Sequence, residues 1–213
     1  MLLAETVLLL TTDEATGKKL CRNTDLLVAG ALLADLALAG NVRVAEQGEG
    51  VRKNRALAVP DAAWPTDPML AECLTIVDGK KHWSPSTLVE RLGRKRVPQV
   101  YERLAVAEVL SRTEHRVLGM VPTTRWVTID PGPVNRFRTR LDEVFLFGHA
   151  PDLETAAVAG LLYAADMVVP VLDRGRHLDR SKLKRQAKAL MKQYWPAMAL
   201  DRAIQARETA VVA

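Results

Sequence analysis

The chain has only two cysteines, Cys21 and Cys73. Neither belongs to a CxxC pair or stands at metal-ligand spacing. That excludes a disulfide framework and points to reduced, buried thiols in a cytosolic protein. The four histidines, His82, His115, His149 and His177, are far apart. They sit in expected turns or polar segments, so neither a metal centre nor a cofactor is expected.

Catalytic signatures are also missing. No GxSxG, HExxH or kinase-like motif occurs. Gly17-Lys18 lacks the second glycine of a phosphate loop, Thr12 standing in its place, and Lys19 replaces the following Ser or Thr. The opening MLLAETVLLLTTDEATG has no basic segment and no small-residue cleavage site, so no secretory signal is expected. There is no lipidation motif, internal repeat or low-complexity tract.

What the chain does have is an apolar stretch with no polar face, DLLVAGALLADLALA at residues 25–39. It is shorter than the ~20 residues a membrane span requires, and Asp35 interrupts it. A helix apolar all round that does not cross a membrane must sit at the centre of a helical globule. Thr24 or Asn23 is expected to cap it, and Gly40 suits the left-handed residue that ends it. A second such helix is expected over residues 154–172, capped by Asp152 and kinked or ended near Pro170.

Amphipathic helices are expected around this pair, over residues 2–11, 69–77, 86–92, 97–110, 135–147, 174–192 and 194–212. Ser84 and Pro85 mark the start of the third. Short strands are expected at residues 42–45 and 56–59. A hairpin is expected over residues 116–129, turning at Pro122-Thr123-Thr124. The predicted fold is mainly α: central buried apolar helices, amphipathic helices around them, and one projecting β-hairpin, all in a single domain over residues 1–213.

Charge is uneven. Residues 1–90 hold 9 Lys and Arg against 12 Asp and Glu, a net of −3; residues 91–213 hold 21 against 13, a net of +8. The basic half suits an anionic partner, phospholipid or nucleic acid, as well as simple solubility. Residues 174–192 carry eight Lys and Arg with one acid, Asp179. Lys184, Lys188 and Lys192 recur at helical spacing opposite Leu183, Ala187 and Leu190. This pattern fits either a helix lying on anionic lipid or a solvated outer helix. Residues 84–129 follow the helix–helix–hairpin order of a winged helix, which offers DNA binding as an alternative. The candidate recognition helix, however, presents only Gln99 and Arg103 beside Glu102 and Glu108. Asp35 and Asp166, both in apolar helices, are either a catalytic pair or two separately satisfied carboxylates.

LLAETVLLL near the start, GALLADLALAGNVRV at 30–44, Trp83-Ser84-Pro85, VYERLAVAEVLSRTEHRVLGM at 100–120 and the apolar helix over 154–172 occur in one collinear order. This set resembles the Golgi phosphoprotein 3 family, and the chain looks like one of its bacterial, actinobacterial-type members. The resemblance implies a mainly helical, non-enzymatic adaptor that binds phosphatidylinositol 4-phosphate at a membrane surface. For this chain it implies a cytoplasmic protein, peripheral on the inner membrane face, with anionic phospholipid as its partner and unidentified client proteins.

The family's lipid-contacting Trp and Arg positions fall on Leu20, Ala29, Pro98 and Tyr101, with Arg103 the basic residue retained two places on. An anion-binding set of Lys18, Lys19, Arg22, Arg94, Lys95, Arg96 and Arg103 is therefore expected. By analogy the hairpin, with Arg116, Val117, Leu118, Arg125 and Trp126, would mediate homo-oligomerisation. The family's Arg-rich tail is absent, so coat binding is not implied.

Overall fold

A computed structural model describes residues 1–79, 81–117 and 121–212; side chains are described except at 114–123 and at 212. The helices are α1 (Leu3–Leu10), α2 (Thr24–Leu38), α3 (Pro68–Val77), α4 (Pro85–Leu92), α5 (Arg96–Val106), α6 (Gly132–Phe145), α7 (Leu153–Ala164), α8 (Val168–Leu172), α9 (Arg180–Met191) and α10 (Trp195–Val212). Two antiparallel strand pairs complete the described residues, β1 (Val42–Val44) with β2 (Ala56–Ala58), and β3 (Leu110–Val117) with β4 (Val121–Thr128).

The α2 helix is the centre. Leu26, Leu27, Val28, Leu32, Leu33 and Leu36 are fully enclosed, and α1, α4, α7 and α10 pack around them. Two glycines permit the closest crossings. A Cβ on Gly30 of α2 would stand 3.1 Å from Leu200 Cβ and 3.2 Å from Leu161 Cδ2. A Cβ on Gly160 of α7 would stand 2.9 Å from the Met191 Cα. The two apolar helices are therefore buried together because neither has a continuous polar face to turn to water, and small residues set how near their neighbours come.

Most helix ends follow local sequence. Asp67 accepts the N–H groups of Met69 and Leu70, Ser84 that of Thr87, Asp152 that of Thr155 and Asp179 that of Lys182. The start of α2 does not. Neither Asn23 nor Thr24 caps it: the Thr24 hydroxyl donates to the Cys21 carbonyl, and Asn23 makes no side-chain cap bond. Arg207 of α10 instead binds both oxygens of Asp25 at 2.8 and 2.7 Å, pinning the first turn from outside. This ion pair spans 182 positions in sequence, a range no local capping rule covers. Gly40, at φ 75, ends α2 as expected.

Three further expectations are corrected. The α5 helix stops at Val106, because Glu108 turns left-handed at φ 57 and redirects the chain into β3. The hairpin accordingly begins at Leu110 and pairs with Thr128; Pro122, Thr123 and Thr124 lie within β4, opposite Arg116, His115 and Glu114. The apolar segment over 154–172 is two helices, broken at Asp166 (φ 54). Pro170 lies inside the first turn of α8, where its missing N–H costs nothing.

Candidate anion-binding site

The loop between α1 and α2 is held rigidly. Asp13 accepts the Thr16 N–H and hydroxyl, each at 2.7 Å, and these bonds hold its carboxyl below the usual range. The Gly17 N–H bonds the Asp13 carbonyl, Thr12 bridges to Lys19, and the Thr12 hydroxyl meets the Tyr101 hydroxyl at 3.1 Å. Gly17 takes φ +65, and a Cβ there would stand 2.5 Å from the Trp126 carbonyl oxygen. Only glycine lets the loop lie this close to β4.

That loop brings Lys19 and Arg22 beside Lys95. The three line a cavity of about 320 Å³ together with Asp25, Thr24 and Pro98. Asp25 is already engaged by Arg207, which holds its carboxyl below the usual range. Lys19, Arg22 and Lys95 have no ion-pair partner among the described residues. Lys95 sits at φ 60 at the N-terminus of α5, a conformation a non-glycine residue rarely adopts. Lys19 also borders a second depression of about 380 Å³, floored by Pro98, Tyr101 and Trp126 and edged by Arg112 and Glu102. The Tyr101 and Trp126 rings stack at 5.2 Å, with the Lys19 ammonium 5.9 Å from the Tyr101 ring.

Of the seven expected cations, these three line one cavity. Lys18 and Arg94 are exposed. Arg96 turns inward to Glu72 at 2.6 Å and Gln99 at 2.9 Å. Arg103 binds Glu5 at 2.9 Å and Asp67 at 2.7 Å and lines a different, mainly apolar cavity of about 650 Å³ with Met1, Val106, Val109 and Arg136. At the family's lipid-contact positions, Leu20 is exposed, Ala29 is fully buried in α2, and Pro98 and Tyr101 border the depressions. Arg112 at this face was not anticipated, because the polar run through residues 110–117 carries no apolar alternation to mark the strand.

Of the hairpin set, Arg116 and Val117 lie in β3 opposite Pro122 and Val121. Arg125 is exposed, and Trp126 turns inward onto Tyr101. Leu118 lies outside the described residues. The winged-helix order exists as α4, α5, β3 and β4, but α5 exposes Pro98, Gln99, Glu102 and Val106, a poor match for base edges.

Asp35 and Asp166 do not meet. Asp166 is exposed and bound to Lys184 at 2.8 Å. The Asp35 carboxylate accepts the Leu3 and Ala4 N–H groups at the start of α1 at 3.0 and 3.4 Å. Burial nevertheless pushes this acid up to about 7. Both cysteines are free and buried, and burial raises the Cys73 thiol to about 11. No group of His, Cys, Asp and Glu among the described residues could hold a metal ion, and no described helix is long and apolar enough to cross a membrane.

No curated protein matches the chain. The Golgi phosphoprotein 3 (GPP34) family matches it over residues 3–207. A mainly helical fold around two apolar helices, with a hairpin after α5, is accordingly what this sequence encodes, and the chain belongs to the Golgi phosphoprotein 3 family.

Proposed function

We propose that this protein is a non-enzymatic, peripheral adaptor that meets the inner membrane face through Lys19, Arg22 and Lys95, with Lys18 and Arg94 at the rim. The observation that carries this reading is three cations around one cavity, none of them neutralised by a carboxylate among the described residues. Such charges attract anionic headgroups, each adding ~1 kcal/mol near an anionic surface and losing it to salt. Leu20 lacks the aromatic ring of the family's inositide site, and Ala29, Pro98 and Tyr101 lack its guanidinium groups. The reading is therefore binding by charge, with phosphatidylinositol 4-phosphate one of several acceptable headgroups.

Vesicle co-sedimentation tests it. The protein should sediment with anionic vesicles at low salt and be released at moderate salt. Lys19→Ala/Arg22→Ala/Lys95→Ala should lose most of that binding. Vesicles carrying phosphatidylinositol 4-phosphate should behave like other vesicles of equal charge. Equal sedimentation with neutral and anionic vesicles would defeat the proposal. The family relationship also favours self-association through the hairpin, with Arg125 on its exposed side. Sedimentation velocity of Arg125→Glu against the parent chain measures that directly.

A further inference from the structure

Across the α1–α2 loop from Lys19 and Arg22 lies a second cationic site that the proposed adaptor role does not use. We propose that Arg138, Arg174 and Arg176 form a cradle for a phosphate monoester group. They surround a cavity of about 240 Å³ floored by Val171 and Leu172, with Asp142 at its side.

The three guanidinium groups are placed differently. Arg176 binds both oxygens of Asp142 at 2.9 Å, and its Nε donates to the Leu172 carbonyl at 3.1 Å. Arg138 of α6 is held by Glu14 from the α1–α2 loop, and its Nε is buried without an acceptor. Arg174 is exposed and has no ion-pair partner among the described residues. Its backbone stands at φ 40, and Gly175 and His177 are also left-handed. The segment is tied down by the buried Asp173, which accepts the Leu178 N–H at 2.9 Å. Two arginines are thus oriented by carboxylates, and the third is uncompensated.

The chemistry selects the ligand class. The Arg174 fork, which no carboxylate among the described residues occupies, matches a tetrahedral group with several free oxygens. A monoester presents three such oxygens and has one substituent to accommodate. A diester presents two and must pass substituents on both sides. The cavity is below the usual range for whole drug-sized ligands, so it suits the phosphate group itself. The substituent has room in the adjoining depression of about 320 Å³, which shares Arg138, Arg174 and Val171.

Inorganic phosphate, titrated into the full chain at constant ionic strength, is the first probe, followed by amide NMR. Shifts should concentrate at residues 138–142 and 171–178. Arg174→Ala should weaken binding by about tenfold or more, while Arg185→Ala on the exposed face of α9 should leave it unchanged. The folded state of each variant is read from the same spectra. Shifts centred on Lys19, Arg22 and Lys95, or an Arg174→Ala affinity equal to the parent's, would overturn the proposal. Vesicles of phosphatidic acid and of phosphatidylglycerol, matched in charge, identify the source. An Arg174-dependent preference for phosphatidic acid assigns the group to a lipid headgroup. Arg174-dependent phosphate binding without that preference assigns it to a soluble monoester.

Discussion

Asp35 shows how a single residue can link the core to pH. Its carboxyl caps α1 from inside the molecule, with Glu5 and Asp67 near enough to raise it further, and titrates at about 7 against an ordinary 3.8. Between those two values the folded chain keeps a proton that the unfolded chain has released. Stability contributed by this group is therefore lost as pH rises through that window, by up to ~1.4 kcal/mol per pH unit, and is constant above it. Asp35→Asn should flatten this dependence. Thermal unfolding of the two proteins at about pH 5 and about pH 8 is the check: the parent should lose more of its Tm than the variant. Gly17 is a second point of leverage. Gly17→Ala forces a Cβ against the Trp126 carbonyl at a left-handed φ and should cost ~1–3 kcal/mol, seen as a lower Tm.

Among elements, the helix crossings carry the tightest constraints. Replacing a helical glycine by alanine ordinarily gains up to ~1 kcal/mol. At Gly30 the new methyl meets side chains that can shift, whereas at Gly160 it meets the backbone of α9. Gly160→Ala should therefore destabilise by ~1–3 kcal/mol and Gly30→Ala by less, as read by denaturant midpoints. The caps at Ser84 and Asp152 were legible in the sequence because capping acts within three residues; those at Asp67 and Asp179 follow the same rule but were not anticipated. The helices α2 and α7 were legible because a rod with no polar face has only one place to go. The end of α5 was not. Glu108 carries no turn signature, and β3 is polar enough at Arg112, Glu114 and Arg116 to hide its alternation. The division of 94–96 was equally hidden: Arg96 turns to Glu72 because α3 lies beneath it, a tertiary fact that a run of three like charges does not encode.

At the scale of the whole molecule, cations divide into those that hold the fold and those that face outward. Arg103 holds the nearly buried Glu5 together with Asp67. Arg103→Ala should cost ~1–3 kcal/mol of stability, since it strands a carboxylate, yet leave vesicle binding unchanged. The Lys19, Arg22 and Lys95 substitutions should do the reverse. Measuring Tm and vesicle binding on both sets separates scaffold from surface. The basic half of the sequence indicated that such a surface exists. It did not indicate where, because Lys19 and Arg22 come from the acidic half and meet Lys95 only through folding.

The central helix also has a consequence for biosynthesis. Its greasy surface is covered partly by α7 and α10, which lie more than a hundred residues downstream. At usual translation speeds, the ribosome takes on the order of ten seconds to deliver them. During that interval Leu26 to Leu36 has no complete shelter, so the nascent chain is a natural client for a holding chaperone until its final helix emerges.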